Sequence, residues 1–158
     1  MKTVRTHDKI YLTTNRYNKP KKTFEYLYKI LKKKLSIKKR YKVLDVGCSN
    51  GELLFFLNKK FRNFDLHGVD VRNDLIKLAK NKLPKNITLK KKDYTKETLK
   101  GKFDIIIVSG VIGILDELDN FFTNIKKNMK KNSVLFLFEN LNEYDYDIII
   151  KYKNLNSK

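Results

Sequence analysis

A single cysteine, Cys48, occurs in 158 residues, so neither an intrachain disulfide nor a zinc site built from several cysteines can form. No metal site is expected. Long apolar runs are missing as well: the longest, Ile105 to Leu115, falls far short of the ~20 residues of a membrane helix, and the start MKTVRTHDK lacks the apolar core of a signal peptide. The expectation is a soluble chain in a reducing, cytoplasmic setting, without membrane contact. Acidic residues are in short supply, 17 against 36 basic ones, which leaves a formal charge of +19. Taken alone, that excess points to nucleic acid or another polyanion. Arginine, the better reader of bases and phosphates, is however scarce, with only Arg5, Arg16, Arg40, Arg62 and Arg72. Lysine, Asn, Ile, Tyr and Phe are abundant instead, and all have AT-rich codons. A nucleotide-composition bias explains this pattern without an anionic partner, so nucleic acid is not the expected one.

What is present describes one domain. The length suffices for a single hydrophobic core, and 34% charged with 41% hydrophobic residues is a globular balance. Pro20 suits the first turn of a helix, and Phe24, Leu27, Tyr28, Leu31 and Leu35 recur at helical spacing, which predicts a helix from Lys21 to Leu35. Its lysines, Lys32 to Lys34 among them, read as a solvated face. Residues 1–40 thus form an N-terminal segment and cap helix, and 41–158 a core.

From Tyr41 short apolar runs alternate with helical ones, as in a mostly parallel sheet covered on both faces. Strands are expected at Lys42–Val46, Asp65–Val69, Ile87–Lys91, Phe103–Ser109 and Ser133–Glu139, the last two buried on both faces. Helices are expected at Glu52–Phe61, Asn73–Leu83 and around Leu118 to Met129, with one helical turn at Thr95–Leu99. Pro84 ends the second crossover and Gly101 turns the chain into the fourth strand. The fold class is α/β, a doubly wound, Rossmann-like sheet.

In such a sheet ligands bind beyond the carboxyl ends of the strands, which directs attention to Asp45-Val46-Gly47-Cys48-Ser49-Asn50-Gly51 after the first strand. Gly47 and Gly51 can take positive φ and bring bare backbone against a ligand at a helix N-terminus, or simply make a tight turn. A dinucleotide loop wants Gly-x-Gly-x-x-Gly, but Ser49 stands at its second glycine. Asp45 would also repel a pyrophosphate. An aspartate there favours a cation, and S-adenosylmethionine carries an ammonium and a sulfonium.

VLDVGCSNG closely resembles motif I of class I S-adenosylmethionine-dependent methyltransferases, and the likeness runs from about Val43 to Glu139. The resemblance implies S-adenosylmethionine as cofactor and a set of binding residues. Asp45, Gly47, Cys48, Ser49 and Gly51 would form the loop around it. Asp70, ending LHGVD, would accept from the ribose hydroxyls, and Val71 would pack on the adenine. Asp93 would accept from the adenine amino group while Tyr94 closes the other ring face. Ser109 opens the segment Ser109-Gly110-Val111-Ile112-Gly113-Ile114-Leu115, which looks like the lining of the transfer site in small-molecule enzymes. Many relatives carry a histidine near Ile114, and its absence leaves the catalytic base unassigned. The Asn-Pro-Pro-Tyr signature of base N-methylation is missing, and a lone Cys48 cannot serve as the cysteine nucleophile of carbon-5 RNA enzymes.

The N-terminal stretch RTHDKIYLTTNRYNKP holds His7, Tyr11, Arg16 and Tyr17, and in similar enzymes such a segment covers the acceptor. His7 and Tyr17 are the candidate catalytic groups; His67, inside the second strand, reads as a packed or edge histidine. The expected acceptor is a small molecule such as a sugar, a phosphorylated metabolite or a surface-glycan precursor. An RNA methyltransferase and a non-catalytic cofactor-binding subunit are the alternatives. The family's C-terminal helix and hairpin look incomplete, with one antiparallel strand at Asp147–Tyr152, so a longer form, a partner subunit or a homodimer is expected to cover the sheet edge.

Overall fold

The computed structural model describes residues 10–36 and 38–139. A short helix α1 (Ile10–Thr13) precedes α2 (Lys22–Lys34). There follow β1 (Tyr41–Val46), α3 (Glu52–Lys60), β2 (Phe64–Asp70), α4 (Asn73–Lys82) and β3 (Thr88–Lys91). After these come β4 (Phe103–Ser109), a 3-10 turn at Ile112–Ile114, α5 (Asp119–Asn128) and β5 (Met129–Phe138). Among the described residues the strands form one parallel sheet in the order β3-β2-β1-β4-β5. The order reverses between β1 and β4, so a crevice opens at their carboxyl ends.

The core lies on both faces of the sheet because alternate strand residues point to opposite sides. Along β4, Ile105 and Ile107 join Leu27, Leu31, Leu54 and Ile76 on one face. Ile106 and Val108 join Leu44, Phe121 and Ile125 on the other. Each fully buried aliphatic side chain is worth roughly 1.5–3 kcal/mol, so these two layers dominate the cohesion. Asn128 adds a polar rivet: its amide donates to the carbonyls of Leu99 (2.8 Å) and Gly101 (2.6 Å), and it accepts from the Tyr94 hydroxyl (2.9 Å).

The expected elements recur with ends shifted by about a residue, except in two places. In place of the helical turn expected at Thr95–Leu99 there is only a turn at residues 94–96, closed by the Asp93 carbonyl accepting from the amides of Lys96 and Glu97, both at 3.0 Å, and irregular backbone follows at 97–99. The fifth strand begins at Met129 rather than Ser133 and bulges, pairing Phe103 with Met129 but Ile105 with Val134. It is not buried on both faces either. β5 is the outer strand of the described sheet, and Val134 and Leu137 are exposed. The strand expected at Asp147–Tyr152 lies outside the described residues. Among those described, no helix is long and apolar enough to cross a membrane.

Candidate functional site

The loop after β1 is held by backbone geometry that this sequence permits. Gly47 (φ 77°) and Gly51 (φ 84°) take left-handed conformations, and the amides of Gly47 and Cys48 both donate to the Val69 carbonyl, at 2.8 and 2.9 Å. Ser49 is also left-handed, at φ 51°, the one such non-glycine residue among those described. A serine pays a conformational penalty there, of the kind that collects at ligand sites. Its amide donates to Asp70 Oδ2 at 2.8 Å, and Asp70 Oδ1 accepts from the Arg72 amide at 2.8 Å. The end of β2 therefore supports the loop after β1.

One cavity lies against this arrangement. Gly47, Cys48, Ser49, Asp70, Val71, Asp93, Tyr94 and Ser109 all line it, with Val111, Ile114 and Leu115 of the loop after β4 forming an apolar wall. Asp45 and Gly51 stand behind the lining. Val71 is 55% exposed, an apolar side chain presented at the cavity. The Ser49 hydroxyl is buried without a hydrogen-bond partner, an orphan group on the cavity wall.

Charge is unevenly poised. Burial, reinforced by the Asp70 carboxylate, pushes the Asp45 carboxyl up to about 7 against a counteracting pull from Lys21. Partial burial works against ionised Asp93, but the Thr95 hydroxyl and amide, with Lys96, hold it below the ordinary carboxylate range. Burial pushes the Cys48 thiol well up, which makes it a poor nucleophile. Tyr94 is buried, its hydroxyl pushed up to about 12.

Of the catalytic candidates, Tyr17 stands elsewhere. The Tyr17 hydroxyl donates to the Asn50 carbonyl at 2.6 Å, its ring meets Phe55 edge-on, and it does not line the cavity. Burial and the nearby Glu52 push it up to about 12. His67 packs edge-on to Phe103 with Nε2 3.1 Å from Asp65, away from the cavity, and burial pushes its pKa down. His7 lies outside the described residues.

Several site residues had no distinguishing mark in the sequence. Asn50 is almost fully buried and donates to the carbonyls of Tyr11 and Thr14, while Glu52 accepts from the Arg16 amide at 2.8 Å. Together with Tyr17 they pin the N-terminal segment over the glycine loop, which brings Tyr11, Lys21 and Phe24 to the cavity. Glu139 accepts from the amides of Val111 (2.6 Å) and Ile112 (3.0 Å) and so shapes the apolar wall. Asn50, inside the glycine loop, and Tyr11 and Arg16, in the N-terminal stretch, lay where a sequence signal drew attention; Glu52, Lys21, Phe24 and Glu139 did not.

A family profile described as a methyltransferase domain matches residues 37–156. The chain belongs to the class I S-adenosylmethionine-dependent methyltransferases. It is 32% identical over 111 residues to a carboxy-S-adenosyl-L-methionine synthase of Campylobacter hominis, covering 67% of this chain and 47% of that one. A malonyl-[acyl-carrier protein] O-methyltransferase of Bacillus cereus is 27% identical over 119 residues, 75% of this chain and 44% of its own. The chain thus spans about half the length of the curated relatives it matches. Among solved structures, the PH0226 protein of Pyrococcus horikoshii is 26% identical with a TM-score of 0.65, covering 80% of this chain and 59% of its own. Coclaurine N-methyltransferase, crystallised with N-methylheliamine and SAH (S-adenosylhomocysteine), shares the fold at 17% identity and a TM-score of 0.67, covering 81% and 43%.

The family's cofactor is S-adenosylmethionine, and the donor set here fits it. Carboxylates at the ends of β1 and β2 suit a cationic amino acid and a ribose, an exposed valine suits a flat base, and the orphan Ser49 hydroxyl awaits a polar partner.

Proposed function

We propose that this chain binds S-adenosylmethionine in the cavity at the β1–β4 switch point and takes part in methyl transfer to a small molecule. The observation that carries the reading is the convergence of Ser49, Asp70, Val71, Asp93, Tyr94 and Ser109, from four separate strand ends, on one cavity beside an unpartnered buried hydroxyl. Bound there, the cofactor supplies a methyl group already activated on a sulfonium.

Each residue has a task on this reading. Asp70 accepts from the ribose hydroxyls, and Val71 packs on one face of the adenine. Asp93 accepts from the adenine amino group, and Tyr94 backs the other face from its fixed place against Asn128. Asp45 supplies the negative field beneath the loop. Val111, Ile114 and Leu115 exclude water from the transfer end. In-line displacement at a sulfonium draws most of its rate from alignment and dryness, so a dedicated base is needed only for a protonated acceptor. None of the described candidate bases faces the cavity.

A small acceptor is supported by relatives named for action on malonyl-[acyl-carrier protein] and (S)-tetrahydroprotoberberine. The decisive experiment is calorimetric titration of the chain with SAH, followed by transfer of labelled methyl to a metabolite panel and to total RNA. One cofactor site and label in the small-molecule fraction are expected. No heat would overturn the cofactor assignment, and label in RNA would overturn the acceptor class.

A further inference from the structure

The parallel topology sorts the charge of this protein into two poles. Every strand begins at one end of the sheet, where Phe64, Tyr41, Phe103 and Met129 lie nearly in line across β2, β1, β4 and β5. The segments leading into the strands, taken with the strands' first residues, are residues 32–42, 58–65, 80–88, 99–104 and 126–133. They carry nineteen lysines and arginines against two acidic residues, Asp65 and Asp104. The segments leaving the strands are residues 45–54, 69–75, 91–97 and 109–119, together with Glu139, and they carry four basic residues against ten acidic ones. Even with Arg16, Lys19, Lys21 and Lys22 of the overlying N-terminal segment, the cavity end stays close to neutral. Nearly all of the protein's net charge of +19 can thus be assigned to the pole opposite the cavity.

Two bland causes fall short of this pattern. A bias in nucleotide composition places lysine without regard to the fold and would load both poles alike. The helix dipole favours lysine in the last turns of α2, α3, α4 and α5, which all end at this pole. It does not reach the linkers at 38–40 and 100–102 or the bulged start of β5 at 130–131, which are equally basic and whose cations are exposed. Lys130 alone of these is neutralised, by Asp104 at 2.8 Å.

We infer that the strand-entry pole is a docking surface for the phosphate backbone of nucleic acid, read without regard to base sequence. Charge complementarity is the ground for it, with lysine, a point charge that tracks any phosphate, in place of arginine's directional fork. A nucleic acid is favoured over an anionic bilayer because the described exposed large apolar side chains, from Ile10 to Leu137, all fall outside these segments, so no anchor is offered for insertion. The surface is a tether, not an acceptor site. The six residues of β1, at about 3.3 Å each, separate it from the cavity by roughly 20 Å, beyond the reach of a docked base and about two Debye lengths at physiological salt.

The test uses fluorescence anisotropy of the full chain with a mixed-sequence, single-stranded RNA of about 20 nucleotides, titrated across about 50–200 mM salt. One triple variant reverses charge at the pole (Lys33→Glu, Arg62→Glu, Lys131→Glu), and a control reverses as much charge elsewhere (Lys29→Glu, Lys77→Glu, Lys90→Glu). The pole variant is expected to lose at least tenfold in affinity and to flatten the log–log salt slope by about 2, the control less than threefold. Equal losses in both, no RNA binding by the parent chain at about 50 mM salt, or tighter binding to vesicles with about 30% phosphatidylserine than to RNA would each overturn it. Titration of the same variants with SAH keeps the two readings apart. Both are expected to retain the parent's cofactor heat, and failure of that heat in the parent chain would sink the cofactor reading alone.

Discussion

The Ser49 amide donates to Asp70 Oδ2 at 2.8 Å, so the end of β2 fixes the conformation of the loop that follows β1. Two residues 21 positions apart thereby share one strained turn, and anything that disturbs Asp70 is felt at Ser49.

Replacing that carboxylate is therefore expected to have two effects. Asp70→Ala leaves the amides of Ser49 and Arg72 without their acceptor and removes the proposed ribose contact. Each loss is worth about 1–3 kcal/mol. Thermal melts should show the destabilisation in the ligand-free chain, and calorimetry with SAH should show weakening of roughly tenfold or more. Parent-like affinity in this variant would remove Asp70 from the site.

Asp45 makes both stability and cofactor affinity depend on pH. Its carboxyl is pushed up to about 7 in the folded chain, against about 3.9 when unfolded, so the folded state holds the extra proton between those values. Its contribution to stability is present below about pH 4 and is lost as pH rises towards about 7, a matter of a few kcal/mol. A ligand ammonium placed above the loop, present in both S-adenosylmethionine and SAH, favours the ionised form and reverses the preference. SAH affinity should rise from pH 6 to 8, with proton release visible as a buffer-dependent heat. Asp45→Asn should melt higher than the parent at pH 8 yet bind SAH more weakly and without that pH dependence. A variant that kept the dependence would show that another group titrates.

At Gly47 an added methyl group would stand 2.3 Å from Val111 Cγ2, on a backbone at φ 77°. The clash pushes on the apolar wall that Glu139 holds in place, and the left-handed backbone adds about 1–2 kcal/mol of strain. Gly47→Ala is expected to destabilise the chain by about 2–4 kcal/mol and to abolish measurable SAH binding. Adding Val111→Ala relieves the clash but not the backbone strain, so partial recovery of the melting temperature is the expected result. Full recovery would show that the left-handed turn is not required.

Tyr17→Phe separates anchoring from chemistry. Its hydroxyl ties the N-terminal segment to the Asn50 carbonyl outside the cavity, so its removal should cost about 1 kcal/mol of stability. Any methyl transfer should keep its pH profile. A profile that lost a limb would return Tyr17 to a catalytic role.

The alternation of short apolar runs with helical periods was enough to place the strands and the helices after Tyr41, because burial on both faces of a parallel sheet leaves a direct trace in side-chain polarity. The glycine loop and the acidic residues at successive strand ends were equally legible, since Gly47, Gly51, Asp45, Asp70 and Asp93 each mark a local backbone or charge requirement at a fixed place in the chain. Asn50, Glu52 and Glu139 left no such trace. Their backbone partners lie 27 to 39 residues away, and the worth of a buried amide or carboxylate depends wholly on which donors and acceptors the fold brings to it. The same holds for β5. Val134 to Phe138 reads as fully buried by composition, yet the order of strands put it on the outside of the described sheet. Charge divides in the same way: the excess of lysine is a property of the chain, but its concentration at one pole arises only because parallel strands bring every entering segment to the same end.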